Sequence, residues 1–225
     1  NTGKKPVVSH NNLLTTIAWK IGEEVTYALE GSVFVGGAVV QWLRDGIRLI
    51  PNAAVTEQMA ESVPDNGGVY FVPALTGLGA PYWDQYARGA IMGITRGTTA
   101  AHITRAALEG ITYQVYDVLN SMENDIKSKL KEIRVDGGAV ANCFLMQFQA
   151  DICRCPVVRP KVLETTALGV AYLAGLAVGY WKDMSDLQEQ WSVDRTFTSS
   201  MTEEESVALL HQWHKAVGRT LQWAE

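Results

Sequence analysis

A chain of 225 residues, 47% hydrophobic and 19% charged, has the make-up of an ordinary globular protein and enough length to bury a core. Its formal net charge is −5 with acids and bases interspersed, which excludes the basic stripe of a nucleic-acid binder. The three cysteines (Cys143, Cys153 and Cys155) form no disulfide framework, and the Cys-x-Cys pair has no neighbouring histidine; inert, buried thiols in a reducing compartment are expected rather than a metal site.

Asn1-Thr2-Gly3-Lys4-Lys5-Pro6 opens the chain without the apolar region of a signal peptide. Residues 7–9, 13–21 and 25–29 are apolar runs separated by Asn11-Asn12 and Gly22-Glu23-Glu24, and they read as strands. Ser32 is the expected N-cap of a helix reaching about residue 49 and stopped by Pro51. A short helix over 54–61 and the turn cluster Pro64-Asp65-Asn66-Gly67-Gly68 lead into a strand over 69–73. Residues 74–88 read as irregular, and 89–94 return as strand. Thr99 caps a long helix to about Met122, with Ile103, Ala107, Ile111, Gln114, Val118 and Met122 as its buried stripe. Lys127, Lys129 and Lys131 form its solvated end.

A strand over 132–135 is closed by Asp136-Gly137-Gly138, a helix follows over 141–153, and 156–160 is a strand between prolines. Residues 165–179 form an Ala/Gly-rich helix within an uncharged stretch too short for a comfortable membrane span. A buried helix lying close to a neighbour is the expectation. A strand over 193–197 and a final helix from Thr202 to about Trp223, opened by the capping box Thr202-Glu203-Glu204-Glu205, complete the chain. Strands first, then strand–helix alternation, predict one α/β domain over 1–225 with a mixed sheet.

The P-loop, the His-Arg-Asp and Asp-Phe-Gly motifs of protein kinases and the Gly-x-Ser-x-Gly elbow are all absent from the sequence. Gly77-Leu78-Gly79-Ala80-Pro81-Tyr82 begins like a dinucleotide fingerprint but lacks its third glycine, and reads as a structured loop. Arg134-Val135-Asp136-Gly137-Gly138-Ala139-Val140-Ala141-Asn142 carries more: a strand, two glycines and a helix start. Glycine lets a ligand approach the backbone, and free amides at a helix start favour anions. Asn142 lies one helical turn beyond Gly138, so its amide could reach a group resting there. Gly37 and Gln41 share that spacing, with Gln41 offering both donor and acceptor. Taken alone, that second pair is better explained as a helix–helix contact through Gly36-Gly37 with Gln41 at the surface. His211 and His214, three apart on the final helix, lack a third metal ligand and read as a surface helix; the seven tryptophans are spread out and read as core and rim packing.

Gly89-Ala90-Ile91-Met92-Gly93-Ile94, followed seven residues later by His102-Ile103-Thr104-Arg105-Ala106-Ala107-Leu108-Glu109, resembles the carboxyl-terminal signature of the FGGY carbohydrate kinases. Tyr27-Ala28-Leu29-Glu30-Gly31, Leu75-Thr76-Gly77-Leu78-Gly79-Ala80-Pro81-Tyr82-Trp83-Asp84 and Asp136-Gly137-Gly138-Ala139-Val140-Ala141-Asn142 are similar to the glycerol-kinase branch in particular. The likeness runs in order over nearly the whole chain. It implies a ribonuclease H-like α/β fold of the actin, Hsp70 and hexokinase kind, a mixed sheet flanked by helices. It also implies two such domains about a cleft, of which this chain would be the C-terminal, nucleotide-binding one, with the N-terminal substrate domain absent. By resemblance Gly37 and Gln41 match positions contacting ATP or ADP, and Gly138 and Asn142 match adenosine-motif positions. The cofactor implied is MgATP and the reaction is phosphorylation of glycerol to glycerol 3-phosphate in the cytoplasm. The glycerol ligands and the aspartate base belong to the missing part, so no residue here is assigned as catalytic or as a metal ligand, and the chain alone is expected to be inactive. Self-association as a homo-oligomer is left open. Cys143 stands where many relatives carry a second Asn. Two rival readings are another FGGY sugar kinase, of xylulose or gluconate, and a non-catalytic nucleotide module of the actin/Hsp70 type, which would bind nucleotide without any polyol dependence.

Overall fold

A computed structural model describes residues 1–224. The chain opens with an antiparallel hairpin, β1 (Leu14–Ile21) and β2 (Glu24–Glu30), turning through Gly22 at φ 58° and interrupted by a register shift between Ile17 and Trp19. Residues 7–9 do not form the expected strand. Their polar groups are used elsewhere: the Val7 carbonyl accepts from the Thr15 hydroxyl, while the Ser9 hydroxyl and the His10 amide donate to the Asp125 carboxylate.

The helix expected over 32–49 is also much shorter. Only α1 (Ala38–Gln41) and a π-helical turn at Trp42–Gly46 are helical, and Gly37 rather than Ser32 precedes them. Ser32 is extended loop, its carbonyl accepting from the Ala80 amide at 2.9 Å. The consecutive glycines weaken the helix at its start, and the widened turn at its end lets the Trp42 ring lie where a Cβ on Gly46 would stand, 2.8 Å from the ring. After α2 (Val55–Glu61), β3 (Tyr70–Val72) pairs antiparallel with β4 (Ala90–Met92).

The long helix α3 (Ala100–Ile126) is capped by Thr99, whose amide donates to His102 Nδ1 at 3.2 Å. The expected stripe is present but too narrow a description: α3 is buried on all sides over 106–114, because α2, β3 and α4 (Cys143–Cys153) pack around it. Gly110 makes the β3 contact feasible, since a Cβ there would sit 2.3 Å from the Phe71 carbonyl oxygen. The Arg105 and Glu109 side chains of the signature form a buried pair at 2.9 Å. Arg105 also donates to the Val63 carbonyl at 2.7 Å, and Asn66 donates to Glu109 at 2.7 Å. Burial pushes the Glu109 carboxyl up, with Arg105 opposing. These signature side chains hold α3 to the segment after α2.

The remainder comprises β5 (Ile133–Arg134), a 3₁₀ turn (Gly138–Ala141), α4, β6 (Val157–Pro160), α5 (Thr165–Ala177), α6 (Met184–Gln190), β7 (Val193–Phe197) and α7 (Glu203–Val217). Strand β6 is parallel to β5 and antiparallel to β7, which is the mixed sheet the sequence predicts, although β1–β2 and β3–β4 stand as separate pairs. Helix α6 has a clear local cause that the sequence reading omitted: the Asp183 side chain accepts from the Ser185 and Asp186 amides. Helix α5 contradicts expectation. It lies at the surface with Val170 66% and Leu173 53% exposed, and only Gly175 is buried, against the Trp181 ring. Its apolar residues encircle it, so composition cannot say which side is covered. Helix α7 begins with the predicted box, Thr202 and Glu205 bonding each other's backbone amides, but ends at Val217.

One core cluster joins Val39, Leu43, Val69, Phe71, Ala107 and Val157. A second joins Tyr113, Phe148, Ile152 and Trp213 beneath α7. Between α3 and α7 the buried Asp117 accepts from Tyr82 Oη, Trp213 Nε1 and His214 Nε2, each at 2.8 Å. His214 stands at the surface as expected, but its ring is bonded, and the bond to Asp117 raises its pKa. Burial pushes the Cys153 thiol up to about 12 and raises Cys155 in the same direction, whereas Cys143 is only partly buried. Among the described residues no helix is long and apolar enough to cross a membrane.

Candidate functional site

Both glycine-led pairs from the sequence lie at one surface. The strand β5 runs out at Asp136, and Gly137 then adopts φ 83°, a left-handed conformation that favours glycine, while its amide donates to the Leu163 carbonyl at 2.9 Å. The 3₁₀ turn that follows is closed by Val140 N to Gly137 O at 3.3 Å and Asn142 N to Ala139 O at 3.2 Å. The Gly138 and Ala139 amides have no acceptor among the described residues. A Cβ built on Gly137 or Gly138 would meet nothing within 4 Å, so the turn borders open space.

Across that space stands the start of α1. A Cβ on Gly37 would lie 3.9 Å from the Ala139 Cβ, and one on Gly36 would meet nothing within 4 Å. These glycines therefore do not serve a helix–helix contact; they flank the 3₁₀ turn. One turn further, Gln41 is exposed and its side chain forms no hydrogen bond among the described residues. Gly37, Gln41 and Gly138 are all exposed and Asn142 is partly buried. The result is an open shelf. The cavities of about 830 Å³ (around Phe34, Trp83 and Tyr86) and about 600 Å³ (around Arg105 and Phe144) lie elsewhere and include none of the four residues.

Asn142 has work of its own. Its Oδ1 accepts from the Leu145 amide at 2.9 Å, making it the N-cap of α4, and its Nδ2 donates to Thr56 Oγ1 of α2 at 3.1 Å. Beside it, Glu57 Oε2 accepts from the Cys143 amide at 2.6 Å. The sequence offered no pointer to Thr56 and Glu57, because each lies 86 positions from its partner.

Chemically, two free amides, unobstructed glycine backbone and an uncommitted carboxamide suit a ligand with anionic and hydrogen-bonding groups. At the edge of the turn the Thr165 hydroxyl donates to the Asp136 carboxylate. Among the described residues no group of three or more His, Cys, Asp or Glu side chains converges to hold a metal ion.

Residues 2–178 match the family described as FGGY family of carbohydrate kinases, C-terminal domain. A glycerol kinase of Parabacteroides distasonis is 79% identical over all 225 residues, and glycerol kinase 2 of Thermotoga maritima is 62% identical over 99% of the chain. In each case the chain spans only 45% of the relative's length. Among solved structures, Plasmodium falciparum glycerol kinase with ADP superposes with a TM-score of 0.90 at 38% identity, covering 98% of this chain and 44% of that one. A gluconate kinase from Lactobacillus acidophilus follows at a TM-score of 0.80 and 25% identity, covering 96% of this chain and 44% of its own. The architecture is the α/β, ribonuclease H-like one that these neighbours share.

Proposed function

The chain belongs to the FGGY family of carbohydrate kinases, and from that premise we propose that residues 1–225 form the C-terminal, nucleotide-binding domain of a kinase that phosphorylates glycerol to glycerol 3-phosphate. The observation that carries the reading is the shelf, where Gly37 lies against Ala139, the residue after Gly138, beside two free amides. The identity to glycerol kinases and the likeness to an ADP-containing structure support it. In this reading Gly37 and Gly138 let the nucleotide lie against the backbone, Gln41 supplies a free carboxamide, and Asn142 holds the adenosine-side turn in shape.

Bound MgATP supplies the phosphoryl group and the cation that neutralises its charge. The residues here bind and orient it, and the cation is proposed to arrive on the nucleotide's phosphates. Glycerol and the catalytic groups are assigned to the remainder of a protein as long as its relatives. Closure of that remainder on the open shelf would exclude water. No residue of this chain is assigned a catalytic role, and a cytoplasmic setting accords with this chemistry.

The test is calorimetric titration of the chain with MgADP. Gln41→Ala is the informative variant, because its side chain is exposed and unbonded: affinity should fall several-fold with the melting temperature unmoved. Asn142→Ala is less clean, since losing the α4 cap costs about 1 kcal/mol by itself. Unchanged MgADP affinity in Gln41→Ala would remove that residue from the site, and no binding by the unaltered chain would count against the shelf.

A further inference from the structure

The junction between the 3₁₀ turn and α4 has an unusual number of backbone groups to satisfy. Asn142 is extended (φ −75°, ψ 110°), so the helical ladder breaks there and carbonyls before it are left without amide partners. On the amide side Glu57 and the Asn142 side chain supply acceptors. On the carbonyl side the main donor is Arg159: its Nη1 donates to the Val140 carbonyl at 3.0 Å and approaches the Ala141 carbonyl at 3.4 Å, beside a longer contact from Cys143 Sγ to the Ala141 carbonyl at 3.9 Å.

Arg159 is itself held firmly. Its Nε and Nη2 both reach Asp194 Oδ2 at 2.8 Å, its guanidinium lies 5.4 Å from the Phe197 ring centre, and its side chain is 14% exposed. One planar fork therefore links β6, β7 and the last two peptide planes of the turn. The turn has four residues and closes through 3₁₀ bonds, so fixing its last peptides also fixes its first. Those first peptides carry the Gly138 and Ala139 amides, which have no acceptor among the described residues.

We propose that Arg159 is a positioning residue for the adenosine side of the nucleotide site, acting through the carbonyls of Val140 and Ala141. The proposal rests on the reading of the 137–142 turn as nucleotide-binding. Arg159 touches the turn only through its carbonyls among the described hydrogen bonds, so its effect is on the aim of the amides. Lysine cannot replace it, because one ammonium lacks the fork needed to meet Asp194 and two carbonyls together.

The experiment measures MgADP affinity by calorimetry and melting temperature for the unaltered chain, Arg159→Ala, Arg159→Lys and Asp194→Asn. Arg159→Ala should weaken binding roughly tenfold or more, the loss expected when charge-assisted bonds to half-buried carbonyls disappear. Arg159→Lys should lose affinity in the same direction, and Asp194→Asn, on an exposed partner that leaves the fold intact, should lose less. Millimolar guanidinium chloride, far below the molar concentrations that unfold proteins, should restore much of the affinity of Arg159→Ala and leave the unaltered chain as it was. A merely architectural arginine would give the opposite result: affinity falling only as far as melting temperature falls, with no rescue. Binding by Arg159→Ala and Asp194→Asn equal to that of the unaltered chain would sink the proposal alone. If the unaltered chain shows no MgADP binding, the assignment of the turn falls and Arg159 falls with it.

Discussion

Asp117 is a carboxylate buried between α3 and α7 whose two oxygens serve three donors, Tyr82, Trp213 and His214. Its replacement by alanine would leave the buried Trp213 N–H and the mostly buried Tyr82 hydroxyl without acceptors and should cost about 3 to 5 kcal/mol, read from urea unfolding. His214 adds a pH dependence. Because Asp117 raises its folded-state pKa, its contribution is fully present below the ordinary histidine value of about 6.5 and is lost as pH rises through the raised value. The melting-temperature gap between the unaltered chain and His214→Gln should be widest near pH 5.5 and close toward pH 8.5, values that bracket about 6.5. Half-exposure of the imidazole limits the contribution to about 1 kcal/mol or less. At this scale the sequence was readable wherever the relation was local. Gly37 with Gln41, and Gly138 with Asn142, declare themselves through helical spacing. The partners that hold Asn142 and the turn in place, Thr56, Glu57 and Arg159, are set by tertiary contact, and no local pattern marks them.

Elements were legible where their start signals were chemical. Thr99 and Thr202 announce α3 and α7, and the β3 strand stands out between the Asn66-Gly67-Gly68 turn and Pro73. Where packing decides, the reading failed: only 38–46 of the stretch 32–49 is helical, 7–9 is not strand, and α5 is not buried. Two glycines on helices show how packing reverses a propensity rule. Glycine to alanine inside an exposed helix normally stabilises by about 0.5 to 1 kcal/mol. Gly169→Ala on α5, where a Cβ meets nothing within 4 Å, should follow that rule. Gly110→Ala on α3 should break it, because the methyl would stand 2.3 Å from the Phe71 carbonyl oxygen, and a loss of about 1 to 3 kcal/mol or more is expected. Urea midpoints moving in opposite directions for the two variants would bear this out; a stabilised Gly110→Ala would mean that α3 and β3 separate more easily than their contact suggests.

For the whole molecule, the α/β class and the family were both within reach of the sequence, since strand–helix alternation and the signature at 89–109 survive without any knowledge of contacts. The division of strands into three groups was not, because pairing between distant segments leaves no periodic trace. That division has a kinetic consequence. The β1–β2 hairpin packs chiefly on itself; the small cluster of Leu13, Leu29, Ala80 and Val118 joins it to the rest, and Asp125 ties down only the segment before it, through Ser9, His10 and Asn11. So little shared apolar surface makes the hairpin a separate opening unit. Its amides should trade hydrogen for deuterium by a local fluctuation, at rates insensitive to low denaturant, while those of β3 and the 106–114 segment of α3 wait for global unfolding. The protein would thus breathe at one end long before it melts, and a protease would find the Gly22-Glu23 tip accessible while the Trp213 core stayed shut.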